Sequence, residues 1–180
     1  MKVVVVYESM FGNTRRVAEA IRDGLCRHHE VEVLSAAQAP AHDLAGTALL
    51  VVGGPTHVRS MSRPSTRKAA SEQAADASRG LTLEPQAAGP GLREWLAEAR
   101  LAGVPVAAFD TRIAMPAVIS GSAVRSITRA LHRQGGRFVC TRRSFLVTKQ
   151  NTLVDGQLDL ARQWGEQLAE TVTRTGEFVE

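Results

Sequence analysis

Six residues near the N-terminus, Ser9-Met10-Phe11-Gly12-Asn13-Thr14, have the types and spacing of an anion cradle. Hydroxyls at Ser9 and Thr14 and the amide of Asn13 are short hydrogen-bonding groups, and Gly12 lets the backbone approach a ligand closely. Before them runs Val3-Val4-Val5-Val6-Tyr7, which reads as a fully buried strand. After them Val17, Ala20, Ile21, Gly24 and Leu25 recur at helical spacing. A strand that feeds a helix through a short turn leaves the first helical N–H groups unpaired at the positive end of the helix dipole, where a phosphate fits. The cradle has no lysine and no G-x-x-x-x-G-K-[ST] pattern is present, which argues against a nucleoside triphosphate. The absence of G-x-G-x-x-G after the first strand argues against a dinucleotide. A signalling domain that accepts a phosphoryl group would need an aspartate where the third strand ends in Gly53-Gly54. A small phosphate monoester, held by N–H groups and hydroxyls, remains.

The elements that must position this cradle alternate. Strands are expected at Val31–Leu34, within 44–52, at Val104–Phe109, and in a divided last strand, Arg137–Cys140 and Ser144–Thr148. Helices are expected after the cradle, over Ser62–Ser78 with Pro64 in its first turn, over Leu92–Ala99 and Ser122–Gln134, and from Asp155 onward. Residues 79–90 read as an exposed loop. Such alternation predicts a parallel sheet with right-handed crossovers and helices on both faces. Ligands then bind beyond the C-terminal strand ends, so loops 9–14, 54–61 and 110–116 should converge.

At 180 residues and 44% hydrophobic composition, the chain is expected to form a single domain spanning 1–180. No apolar run is long enough to span a bilayer and no signal-peptide pattern opens the chain, so a cytoplasmic location is expected. Cys26 and Cys140 read as buried hydrophobes, His28-His29 as a helix end, and no metal ligand or catalytic residue is assigned. The charge is unevenly spread. Four bases in 55–71 and eight in 111–150, with no acid in either, make +12, while the remaining ten bases and 18 acids make −8. A basic face that meets something acidic follows. Nucleic acid is disfavoured as that partner, because only 4% of residues are aromatic and no binding motif is present.

Residues 9–14 resemble the phosphate loop of flavodoxin-like proteins, [ST]-x-x-G-x-T, and Gly54-Pro55-Thr56-His57 resembles their second flavin loop. The resemblance runs over essentially the whole chain in element order. It implies an α/β three-layer sandwich with a five-stranded parallel sheet of order 2-1-3-4-5. It also implies FMN, with its phosphate at Ser9, Met10, Phe11, Gly12, Asn13 and Thr14. The ring edge would lie against Pro55, Thr56, His57 and Val58, and against Asp110, Thr111 and Arg112. The implied activity is electron transfer to or from an acidic redox partner protein or a small electron acceptor. An FMN-dependent NAD(P)H/quinone reductase and a non-catalytic flavin- or phosphate-binding module are the alternatives. The chain departs from flavodoxin-like electron carriers in three respects. Neither ring loop has a Trp or Tyr, both are basic, and Val58-Arg59-Ser60 stands where many have a glycine. A positive φ would be costly there, at Val58 especially.

Overall fold

The valine run forms β1, Lys2–Tyr7, with Val3, Val4, Val5 and Val6 wholly buried. It lies parallel between β2, Glu30–Ser35, and β3, Leu49–Pro55, and β3 pairs with β4, Pro105–Ile113. This computed structural model describes residues 1–39, 44 and 46–176, so residue 45 of the stretch expected to hold the third strand lies outside it. The edge beyond β4 is shared by two short strands. Arg137–Phe138 (β5) runs beside Pro105–Val106, and Arg143–Val147 (β6) beside Phe109–Ile113. The order is thus the expected parallel 2-1-3-4-5 with its fifth strand divided.

Strands covered on both faces need apolar residues at every position, and alternate side chains serve opposite layers. Val4, Val6, Leu50, Val52 and Val106 pack under α3, Leu92–Glu98, and α5, Ala123–Arg133. Val3, Val5, Leu49, Val51 and Phe109 pack under α1, Asn13–Leu25, and α6, Gln157–Gly176. The helices α1 and α6 cross closely because a Cβ on Gly24 would stand 2.1 Å from the Arg162 carbonyl, and one on Gly165 2.2 Å from that of Ile21. The other α-helices among the described residues are α2, Pro64–Ala75, and the single turn α4, Ala117–Ser120. No helix among the described residues is long and apolar enough to cross a membrane.

Three local expectations are corrected, and one is refined. Gly53-Gly54 does not end its strand but lies within β3, where a Cβ on Gly53 would stand 2.1 Å from the Phe109 ring. Asp110, Thr111 and Arg112 are strand rather than loop, since β6 supplies β4 with a partner as far as Ile113. Residues 79–90 are the expected largely exposed loop, anchored where Leu83 and Ala87 pack on Met10 and Ala70 and the Glu84 N–H donates to the Met10 carbonyl at 2.8 Å. Cys26 is exposed, and only Cys140 is partly buried, its thiol pushed up to about 11 by that burial.

Candidate functional site

The turn after β1 is shaped by Gly12, whose φ of 88° lies in the left-handed region that glycine enters without strain. Its N–H donates to Ser9 Oγ at 3.1 Å, closing the turn just as α1 begins. No side chain caps this helix, and the N–H groups of Asn13, Thr14 and Arg15 meet no acceptor among the described residues. The side chains around them are held in place. Asn13 Nδ2 donates to the Asn151 carbonyl at 2.8 Å and to its Oδ1 at 3.1 Å. The Thr14 and Thr111 hydroxyls pair at 2.7 Å, which leaves one of their two hydrogens unspent. Arg15 turns aside to Glu84, at 3.1 Å, and Glu19, at 2.8 Å.

A second helix begins at the same sheet edge and is treated differently. Asp110 is wholly buried, and its Oδ2 accepts from the Ser122 hydroxyl at 2.8 Å, the Val124 N–H at 3.0 Å and the Thr56 hydroxyl at 3.0 Å. Thr56 Oγ1 in turn accepts from the Ala123 N–H at 2.8 Å. The start of α5 is therefore capped from two neighbouring strands, and Asp110 Oδ1 is left without a partner.

Between these helix ends lies a cleft of about 150 Å³. It is lined by Ser9, Met10, Phe11, Asn13, Thr14, Pro55, Thr56, His57, Thr111 and Arg112, ten of the thirteen residues singled out in the sequence. The other three lie off its wall. Gly12 shapes the turn, Asp110 sits beneath as the cap of α5, and Val58 is 81% exposed on a turn tip. Asp110 and Arg112 form no ion pair with each other. The Arg112 guanidinium donates instead to the Met115 carbonyl at 2.6 Å, while its Nε is buried without a partner. Ile113, from the 110–116 segment expected to converge here, also lines the cleft, as do Val147 and Asn151, which lay outside the expected loops. The topological rule for parallel sheets contains the missing signal, because the turn after the last strand also ends at this edge.

The ring loop is a tight hairpin turn. His57 and Ser60 exchange backbone hydrogen bonds of 2.8 and 3.0 Å, with Val58 at φ 44° and Arg59 at φ 69°. Two successive positive φ angles define a type I′ turn, so the chain adopts the conformation its residue types disfavour. It is clasped from outside. The Ser122 N–H donates to the Arg59 carbonyl at 3.2 Å, Arg59 Nη2 donates to the Val118 carbonyl at 2.7 Å, and the Ser60 and Ser126 hydroxyls pair at 2.9 Å. Behind the turn a buried polar cluster ties it to the first loop: Ser62 Oγ donates to Glu8, and Glu8 Oε2 accepts from the Leu92 N–H at 2.8 Å. Arg67 joins this cluster, bonded to Ser62 Oγ at 3.2 Å and Glu94 at 3.2 Å, so it is not part of any basic surface. Burial, reinforced by the Arg67 charge, holds the His57 imidazole below its ordinary pKa.

A parallel sheet in this order, with an uncapped helix start after its first strand and a second loop facing it, defines a protein of the flavodoxin-like α/β class. The flavodoxin family profile matches residues 5–109, and the chain belongs to that family, whose members bind flavin, generally FMN. The fold is shared with a flavodoxin from the domain Archaea, at 24% identity and TM-score 0.65, over 96% of this chain and 99% of that one. It is shared also with flavodoxin 1 of Bacillus cereus (19% identity, TM-score 0.63, 94% of this chain and 98% of that one). A flavodoxin, WrbA-like protein of Agrobacterium tumefaciens is similar at 18% identity and TM-score 0.61, over 96% of this chain and 98% of that one. No curated protein matches the chain.

Proposed function

We propose that this chain binds FMN in the cleft and carries electrons to or from a partner, as a single cytoplasmic domain. The observation that carries the reading is the row of unpaired N–H groups at Asn13, Thr14 and Arg15 beside the left-handed Gly12. A doubly charged phosphate monoester satisfies such groups without a cation, aided by the helix dipole and by the spare hydroxyl hydrogen of the Thr14–Thr111 pair. Ser9, Met10, Phe11, Gly12, Asn13 and Thr14 form this cradle. Pro55, Thr56 and His57 on one side, with Thr111 and Arg112 on the other, form the walls offered to the ring.

Bound FMN supplies reversible uptake and release of electrons at its ring. The chain's own part is to orient it. Asn151 fixes Asn13, and Asp110 with Thr56 fixes the ring loop against α5. His57 stands at the wall as a neutral imidazole at pH 7, able to donate or accept one hydrogen bond but adding no positive charge.

Purified protein mixed with FMN tests this directly. A flavin spectrum retained through gel filtration, bleached anaerobically by dithionite and restored by an electron acceptor, is the expected result. Failure to retain FMN at micromolar concentration contradicts the proposal. Steady NADPH oxidation with a quinone by this protein alone would move the assignment to the reductase.

A further inference from the structure

The bases of the chain divide by their company. On the α1 and α6 side arginines sit beside acids, in the pairs Arg15–Glu19, Arg22–Asp23, Arg27–Glu166 and Arg162–Asp159. Among the described residues, none of the eight bases between 111 and 150 forms an ion pair, and that segment contains no acid. Arg125, Arg129 and Arg133 stand exposed on α5 at i, i+4 and i+8, a line of roughly 12 Å at 1.5 Å per residue. Like charges at this spacing oppose the helix they sit on. Arg137 and Arg143 have an ordinary explanation, since charged side chains on an edge strand discourage pairing with other chains. The α5 line has none of that kind.

The first turns of α5 are bonded to the ring loop at Ala123, Ser122 and Ser126, so the line of arginines begins at Arg125, next in sequence to a residue that touches that loop. The clasp joins Arg59 to Val118, and the two joined segments carry Val58, 81% exposed, Val118, 80% exposed, and Ile119, 56% exposed. An apolar centre with a charged rim is the make-up of a protein interface. A surface for single-stranded nucleic acid would instead offer aromatic side chains for base stacking.

We infer that the mouth of the cleft and the exposed face of α5 form one docking surface for an acidic redox protein, with Arg125, Arg129 and Arg133 as its electrostatic guide. Val58, Val118 and Ile119 make its apolar contact. This rests on the electron-carrier reading for the partner's nature, but docking itself needs no flavin.

The test uses the full chain, with and without FMN, and an acidic two-iron ferredoxin as probe, its binding followed by titration calorimetry. Binding that weakens about tenfold between roughly 20 and 300 mM salt is expected. The triple variant R125E/R129E/R133E should lose a further tenfold or so, while Arg162→Glu, on the opposite side, should change affinity less than about twofold. The milder pair R129Q/R133Q, for which about threefold is expected, keeps the test valid where the triple variant folds poorly by circular dichroism. Absent or salt-independent binding, or an unchanged triple variant, overturns the docking surface. Equal or tighter binding of a 20-base-pair duplex DNA, lost in the same variant, overturns it in favour of nucleic acid. If FMN fails to bind while ferredoxin docking behaves as expected, only the electron-carrier reading falls.

Discussion

Two helices begin side by side at the C-terminal edge of the sheet, and the chain finishes one and leaves the other open. At α5 the first N–H groups are satisfied from inside the protein: Val124 donates to Asp110 and Ala123 to Thr56. At α1 the N-cap is a glycine without a side chain, and three N–H groups meet no acceptor among the described residues. Each orphaned group is a standing cost unless water or a ligand takes it. The difference shows that the sheet edge alone does not make an anion site. The residue types at each helix start decide, and at α5 a built-in carboxylate already occupies the place an anion would take.

Exchanging the two ends breaks the comparison most severely. Asp110→Ala strands the Ser122 hydroxyl, the Thr56 hydroxyl and the Val124 N–H in a buried site, and should lower unfolding stability by about 3–5 kcal/mol in urea titration. Closing the open end comes next. Thr14→Ala removes a donor of the proposed phosphate cradle and breaks the pair with Thr111, and FMN affinity should fall about tenfold or more by fluorescence titration. At Gly12, Ala must hold φ 88° with its Cβ 3.0 Å from Glu84 Oε1. Gly12→Ala should therefore cost about 1–2 kcal/mol of stability as well as FMN affinity. A smaller effect has the opposite sign. Val58→Gly relieves an exposed positive φ, and thermal unfolding should show a gain of up to about 1 kcal/mol, the strain released less the entropy glycine adds to the unfolded chain.

The smallest effect is one of pH. Because the folded-state pKa of His57 is depressed, the unfolded chain binds the proton more readily. The stability linked to His57 is thus complete above the ordinary value near 6.5 and is lost as pH falls below it. Replacing His57 by Gln should flatten that part of the stability–pH curve as pH falls below about 6.5.

What was legible in the sequence was local. Four consecutive valines can hardly be anything but a buried strand in an α/β chain, and Gly12-Asn13-Thr14 carries its turn within three residues. What was hidden depended on partners remote in sequence. Asp110 was expected at the ring edge and not as the buried cap of α5, because the partners that make it one lie 54, 12 and 14 positions away. Asn151 was missed because the residue it holds, Asn13, is 138 positions off. Gly121 explains why Val58 and Arg59 defy their preferences: a Cβ there would stand 2.2 Å from Arg59 Cα, so only glycine allows the clasp that keeps the strained turn in place. No pattern of types near residue 58 announces that. Leu83, Glu84 and Ala87 have no periodicity to betray that they pack on or bond to Met10.

The central claim is that the open start of α1 is shaped for a phosphate, and riboflavin, which is FMN without one, measures it. Titrating the flavin-free protein with each ligand by calorimetry should show FMN binding about 100-fold or more tightly than riboflavin, the value of at least two charge-assisted hydrogen bonds at roughly 1.5 kcal/mol each. Affinities within about twofold of one another would mean the unpaired N–H groups of Asn13, Thr14 and Arg15 do no binding, and the account would be contradicted at its root.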